Sequence, residues 1–336
     1  MTPEISIAFQ TDKSATEYIA LAQNVNQYDF DAVSVYCDAP FQPSYSALLL
    51  MAPHLTKARL GPSAIPLARM HPIDIAANAA LLETLAPNRT YIGIARGAWL
   101  KDHSLHEPTP SLTAIREAIH IIQQLLRGEH VQHQGKVYQI AEYVRATYPL
   151  PQNLPPILIG TWGRKLCELA GEVAHEVKVG GSTNPSMVSF IQADIAQGEM
   201  RQNRERHSVG VVMGAVTVVD EDREKARAVA RQQVAMYLPV VAPLDRSLHI
   251  DTELTQRIQA LVEQHDFQNA GKLISDDLLN KFAFSGAPKD LIEQASQLFA
   301  AGAARVEFGT PHGLPSAKGI RLIGEQVIPA LQSTFR

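Results

Sequence analysis

Short runs of β-branched and apolar residues alternate along this chain with longer segments whose apolar residues recur at spacings of three and four. Strands are expected at Ile5–Phe9, Ala32–Tyr36, Ala58–Ala64, Tyr91–Ala95, Pro156–Gly160, His175–Gly180, Val209–Val218 and Ala304–Phe308. Helices are expected at Ala15–Tyr28, Ile73–Leu85, Leu112–Leu126, Arg164–Gly171, Pro185–Asn203, Arg223–Leu238, Leu291–Ala301 and Lys318–Leu331. Pro72, Pro185 and Pro288 stand near helix starts, and Gly128 and Gly302 follow helix ends, so the punctuation agrees with the periodicity. Strand followed by helix, repeated eight times, predicts an α/β fold with parallel strands joined by crossover helices: a (β/α)8 TIM barrel with insertions.

Such barrels commonly run to about 250 residues or more as one unit, so the 336 residues are read as a single barrel domain, 1–336. Two stretches exceed the minimal plan. Residues 129–140 read as a hairpin turning at Gly135, and 239–285 form a long, partly helical insertion segment before the last strand–helix unit. Insertions at the mouth of a barrel shape the substrate pocket or its lid; covering a dimer surface is the alternative use.

At 46% hydrophobic and 19% charged residues the chain can bury a sizeable core. Its net charge of −4, with no basic block, argues against a nucleic-acid partner. The first nine residues lack the charged-then-apolar layout of a signal peptide, and no run approaches the ~20 apolar residues that span a bilayer. A cytoplasmic protein away from membranes is expected. Cys37 and Cys167 make no CxxC pair and are expected to be buried, reduced thiols. His103 and His106, and His130 and His133, have the spacing of metal ligands but no clear third ligand, so no metal is expected.

No GxGxxG follows the first strand, and no GxxxxGK[ST] occurs, so neither a doubly wound nicotinamide domain nor a P-loop has its phosphate cradle. Glycines cluster instead at successive strand ends: Gly93-Ile-Ala-Arg-Gly97, Gly160-Thr-Trp-Gly163, Gly180-Gly181 and Gly309-Thr-Pro-His-Gly313. Glycine there lets the backbone approach a flat ring or a phosphate, and Gly160–Gly163 leads straight into a helix N-terminus followed by Arg164 and Lys165. For any single cluster, an ordinary turn is the alternative; four clusters at strand ends favour a ligand site.

Gly61-Pro-Ser-Ala-Ile-Pro-Leu-Ala-Arg-Met-His-Pro72, Ala79-Ala-Leu-Leu-Glu-Thr-Leu-Ala-Pro-Asn-Arg89 and Gly93–Gly97 together resemble the third-to-fourth-strand region of the bacterial luciferase-like superfamily. Leu166-Cys-Glu-Leu-Ala-Gly-Glu172, Phe282-Ala-Phe-Ser-Gly286 and Val306-Glu-Phe-Gly-Thr-Pro-His-Gly313 extend the likeness over nearly the whole chain. It is strongest to the branch that uses the deazaflavin coenzyme F420, with FMN as the alternative cofactor.

The resemblance implies a cis peptide at Ser63–Ala64 behind the ring, with Ile65 beside it. It implies Asp38 at the ring edge, Gly97, Ala98 and Trp99 along the ring plane, and Gly160, Thr161, Trp162 and Gly163 around the cofactor phosphate. Gly180 and Gly181 complete the implied cofactor set. It also implies hydride transfer between the ring and a small-molecule substrate, and a homodimer.

Several positions depart from the branch's known activities. Ala39 stands where its sugar-phosphate dehydrogenases have a histidine, Ala98 where they have a glutamate, and Gly180 and Thr183 where they hold substrate phosphate. Ala8 stands where its pterin reductases have a glutamate, and His175 replaces an acidic residue before the sixth strand. The acid–base candidates near the mouth are Asp38, Arg96 and His312. The rival readings are an FMN-dependent monooxygenase and a protein that binds flavin or deazaflavin without turnover.

Overall fold

The structure is a computed structural model of the chain and describes residues 2–335. In chain order, β1 (Glu4–Phe9), α1 (Ala15–Val25), β2 (Ala32–Val35), α2 (Ser44–Met51), β3 (Arg59–Pro62), β4 (Ile65–Pro66), α3 (Pro72–Leu85) and β5 (Ile92–Ala95) come first. Then follow α4 (Ser111–Leu126), β6 (Val131–Gln134), β7 (Gln139–Val144), β8 (Ile157–Gly160), α5 (Arg164–Val173), β9 (Glu176–Gly180), α6 (Pro185–Arg201), β10 (Gly210–Val219) and α7 (Arg223–Val241). The remainder is α8 (Thr252–Glu263), α9 (Phe267–Lys272), α10 (Asp276–Phe282), β11 (Ala283–Gly286), α11 (Pro288–Ala300), β12 (Arg305–Gly313), α12 (Ser316–Leu322) and α13 (Ile328–Phe335), the last two joined by a π-helical turn. No described helix is long and apolar enough to cross a membrane.

The main sheet has the order β3-β2-β1-β12-β10-β9-β8-β5-β4, with β11 added beside β10. The first strand pairs in parallel with the last, β1 with β12, while β5 pairs with β8 across the separate β6–β7 hairpin and β10 pairs with both β11 and β12, an order that fits a barrel. A parallel bridge between Leu60 and Thr90 also brings β3 beside the start of β5. Local chemistry explains the helix starts. Ser14 and Glu17 form a reciprocal capping box on α1, Asp222 accepts the Lys225 N–H on α7, and the His71 Nδ1 accepts the Ile73 N–H on α3.

All eight expected strands and the eight expected helices have counterparts. The expected strand 58–64 is divided, because the chain turns at Ser63–Ala64 between β3 and β4. Helix α2 was not anticipated: Ser-Tyr-Ser-Ala-Leu-Leu-Leu-Met has no polar face to give a period. The expected boundary at Pro239 is corrected too. Helix α7 runs through it to Val241, and the insertion segment ends in β11, whose residues Ala283–Gly286 lie beside Val216–Val219 of β10. The hairpin forms as expected, with its second strand reaching Val144. Its tip is held by Glu117 of α4, whose carboxylate accepts the N–H groups of Lys136, Val137 and Tyr138 at 2.8–3.1 Å.

The chain divides into two compact units. One comprises Met1–Ile7, Lys178–Asp194 and Gly210–Arg336. In it, side chains of β1, β9 and β12 build a charged cluster: Lys178 pairs with Glu307, Arg305 Nη1 lies 3.9 Å from Glu307, and the Ser6 hydroxyl donates to Glu307 at 3.5 Å. Arg305 and Glu307 are completely buried. A Cβ on Gly214 would stand 3.2 Å from the Glu307 Cβ and 3.4 Å from the Lys178 Cε, so the glycine of β10 makes room for the pair.

The other unit comprises Ala8–Val177 and Ile195–Val209. Cys37 and Cys167, both here, are buried and form no disulfide. The Ser34 and Tyr91 hydroxyls are hydrogen-bonded at 2.7 Å. His175, just before β9, joins β8 twice: its N–H donates to the Ile157 carbonyl at 2.8 Å, and its Nδ1 accepts the Ile157 N–H at 3.0 Å.

Burial pushes the His175 pKa below its ordinary 6.5, the Arg204 charge adds to this, and Glu176 opposes it. The folded pKa is depressed, so its stabilisation is complete above pH 6.5 and is lost as pH falls through the folded pKa. Urea midpoints measured across that range are expected to fall with pH in the wild type and to fall less steeply in His175→Gln. Parallel profiles would assign the acid sensitivity to other groups.

Candidate active site

In the second unit, the expected cofactor residues stand at the C-terminal ends of parallel strands. Asp38 follows β2, Ser63–Ile65 joins β3 to β4, Arg96–Trp99 follows β5, and Gly160–Gly163 runs from β8 into α5. The Ser63–Ala64 peptide is cis, as the resemblance implied. Gly180 and Gly181, at the end of β9, and His312, near the end of β12, belong to the first unit.

The strand ends of the second unit create a surface of small residues. A Cβ on Gly160 would lie 3.3 Å from the Ala95 Cβ and 3.4 Å from the Ala64 Cβ, which places the β3–β4 turn and the ends of β5 and β8 side by side with no bulky side chain between them. A flat ring can lie on such a floor. Helix α5 begins immediately after it with Gly163 as N-cap and no side-chain capping bond. The Thr161 hydroxyl accepts the Gly163 N–H at 2.9 Å and thereby fixes the turn. An anion at this end would face an uncapped helix N-terminus, which favours negative charge by about 0.3–1 kcal/mol.

The three acid–base candidates have different surroundings. Asp38 is half-buried, with the Gln10 amide 3.4 Å from its Oδ2. Arg96 is committed to a two-pronged ion pair with Glu107, at 2.6 and 2.8 Å, and the hydrogen bond to Glu107 raises its pKa. Its fork closes the β5–α4 connection on itself, a structural use that the spacing of the glycine cluster did not disclose. His312 has no exposed surface, and its Nδ1 lies 3.5 Å from the Ser316 hydroxyl. Trp99 is 42% exposed and stands with φ +52°, so its ring is on offer to a ligand and is not consumed in the core.

Arg69 was visible only as part of a motif. Its Nη1 donates to the carbonyls of Cys37 and Asp38 at 2.7 and 2.6 Å, and its Nη2 donates to that of Phe41 at 2.9 Å. It also lines an open cavity of about 580 Å³ with Leu67, His71, Asp74, Pro108 and Tyr138. Burial, aided by the charge of Glu117, pushes the Tyr138 hydroxyl up to about 12.

Residues 2–305 match the family model described as luciferase-like monooxygenase. The chain belongs to that family. It is 27% identical over 310 residues to the 5,10-methylenetetrahydromethanopterin reductase of Methanopyrus kandleri, an overlap covering 87% of this chain and 88% of the relative. It is 23% identical over 275 residues to the F420-dependent glucose-6-phosphate dehydrogenase of Microbacterium testaceum, covering 80% of this chain and 77% of that protein. The solved structure of the coenzyme F420 dependent tetrahydromethanopterin reductase from Methanopyrus kandleri superposes with a TM-score of 0.90 at 24% identity, over 100% of both chains. The fold is therefore the luciferase-like (β/α)8 barrel.

Proposed function

We propose that this chain is an F420-dependent oxidoreductase that passes a hydride between the deazaflavin and a small organic substrate. The observation that carries the reading is the small-residue floor of Ala64, Ala95 and Gly160 running into the uncapped start of α5. Relatives whose names specify F420 or a methanopterin substrate support it.

When bound, the deazaflavin supplies a ring carbon that accepts or donates hydride. The chain's residues bind and orient it. Ala64, Ala95 and Gly160 would form the floor for the ring, and Gly160, Thr161, Trp162 and Gly163 would receive the phosphate. Gly97, Ala98 and the exposed Trp99 would line the bound ring and limit water there. Asp38, at the ring edge, is the group placed to hold or move a proton. Arg96 keeps the β5–α4 connection closed through Glu107. His312, buried beside Ser316, supports the strand end from within.

Ala8, Ala39 and Ala98 supply none of the carboxylate or imidazole groups of the branch's known pterin and sugar-phosphate enzymes, which favours a neutral or weakly polar substrate. The chain is proposed to work as a cytoplasmic homodimer, which light scattering of the purified protein tests.

Fluorescence titration of the purified protein with F420 and with FMN tests the cofactor. Micromolar or tighter binding of F420 with no comparable FMN binding is the expected result. A preference for FMN moves the chain to the monooxygenase reading. Tight F420 binding, with no hydride exchange to a panel of aldehydes, ketones, imines and alcohols, leaves a cofactor carrier.

A further inference from the structure

We infer that Arg69 is a positioning residue of this site, holding the loop that bears Asp38 at a set distance from the segment that bears Ala64. The inference rests on the proposed function and deepens it.

Arg69 lies five residues after Ala64, and its own N–H donates to the Pro66 carbonyl at 2.9 Å, so its backbone is anchored to the floor segment. Its side chain reaches across to residues 28–32 positions earlier. There it binds three carbonyls spread over the five residues Cys37–Phe41, a stretch that contains the cis Ala39–Pro40 peptide. Inside that stretch, the Phe41 N–H donates to the Asp38 carbonyl at 3.1 Å, and just after it the Gln42 N–H donates to the Thr11 carbonyl at 3.0 Å. The Asp38 carbonyl thus accepts from both Phe41 and Arg69, which holds the backbone from which the carboxylate projects.

The chemistry requires arginine. A planar guanidinium presents several N–H donors in fixed directions, whereas an ammonium is a point charge that cannot satisfy three separated carbonyls with one geometry. Removing the fork leaves those carbonyls to water and frees the loop to move relative to Ala64. A ring bound on the proposed floor with Asp38 at its edge would meet a displaced edge.

The test uses the full-length protein with Arg69→Ala and Arg69→Lys. Hydrogen exchange on the cofactor-free protein reads the tether, and the F420 dissociation constant reads the consequence. In Arg69→Ala, the Phe41 and Gln42 amides are expected to exchange at least about tenfold faster, since local opening sets that rate. F420 affinity is expected to fall about tenfold, and added guanidinium ion is expected to restore a substantial part of both. Lysine is expected to fall between the two without rescue.

A role confined to stability would lower the unfolding midpoint while leaving F420 affinity at the wild-type value, and that result overturns the positioning role. Unchanged exchange at Phe41 and Gln42 overturns the tether even where wild-type F420 binding stands. Wild-type protein that binds no F420 overturns the proposed function and the cofactor part of this inference together, while the exchange data still judge the tether.

Discussion

Glu307→Leu is expected to lower folding stability by about 3–5 kcal/mol, the usual cost of removing one partner from a buried ion pair. Lys178 and Arg305 both approach the Glu307 carboxylate, and Glu307 and Arg305 have no solvent contact. Taking the carboxylate away leaves an ammonium in a low-dielectric interior where water cannot solvate it. The lost attraction between the charges is the smaller part of the cost; stranding the cation is the larger. Lys178→Met combined with Glu307→Leu is therefore expected to recover the part of the loss that the stranded ammonium causes, while the part due to the buried Arg305 guanidinium remains. Urea unfolding of the single and double variants gives the comparison. A double variant as unstable as the single would mean that the pair is kept for packing around Gly214 and not for charge balance.

Gly160→Val is expected to leave the fold intact while weakening F420 binding by roughly 5–150-fold, the factor that overpacking by about 1–3 kcal/mol produces. The added Cβ would sit 3.3–3.4 Å from two alanine methyls, close but without a clash against backbone. The two further methyl groups would then stand on the floor where the ring is proposed to lie. Gly160→Ala should give an intermediate affinity. Fluorescence titration alongside thermal unfolding separates the two effects. Unaltered F420 affinity in the valine variant would remove this floor from the cofactor site.

Glu307 and Gly160 mark the two kinds of information in this molecule. Gly160 was legible as a candidate site residue because a glycine between a β-branched run and a helix start is a local pattern. Glu307 drew attention only as part of a resemblance motif, because its significance lies in Lys178, 129 residues away. The same division runs through the candidate site. Ser63–Ala64, Gly97 and Gly160–Gly163 could be named from spacing and likeness, but the fork of Arg69 on Cys37–Phe41 and the pairing of Arg96 with Glu107 could not.

By itself, then, the sequence determined the alternation of strands and helices, the number of repeats, the helix caps and the glycine-marked strand ends. Those properties depend on neighbours within a few residues, through the two-residue and 3.6-residue periods and through capping chemistry. Only the tertiary structure decided that Ser44–Met51 is a helix, since its nearly uniform apolarity carries no period. It also decided that α7 continues through Pro239 and that Ala283–Gly286 joins the sheet beside β10. The partners of Arg69, Arg96, His175 and Glu307 belong to the same class. Which side chains meet across strands or loops follows from strand order and register, and a one-residue change in the register of β12 would turn Glu307 to the opposite face.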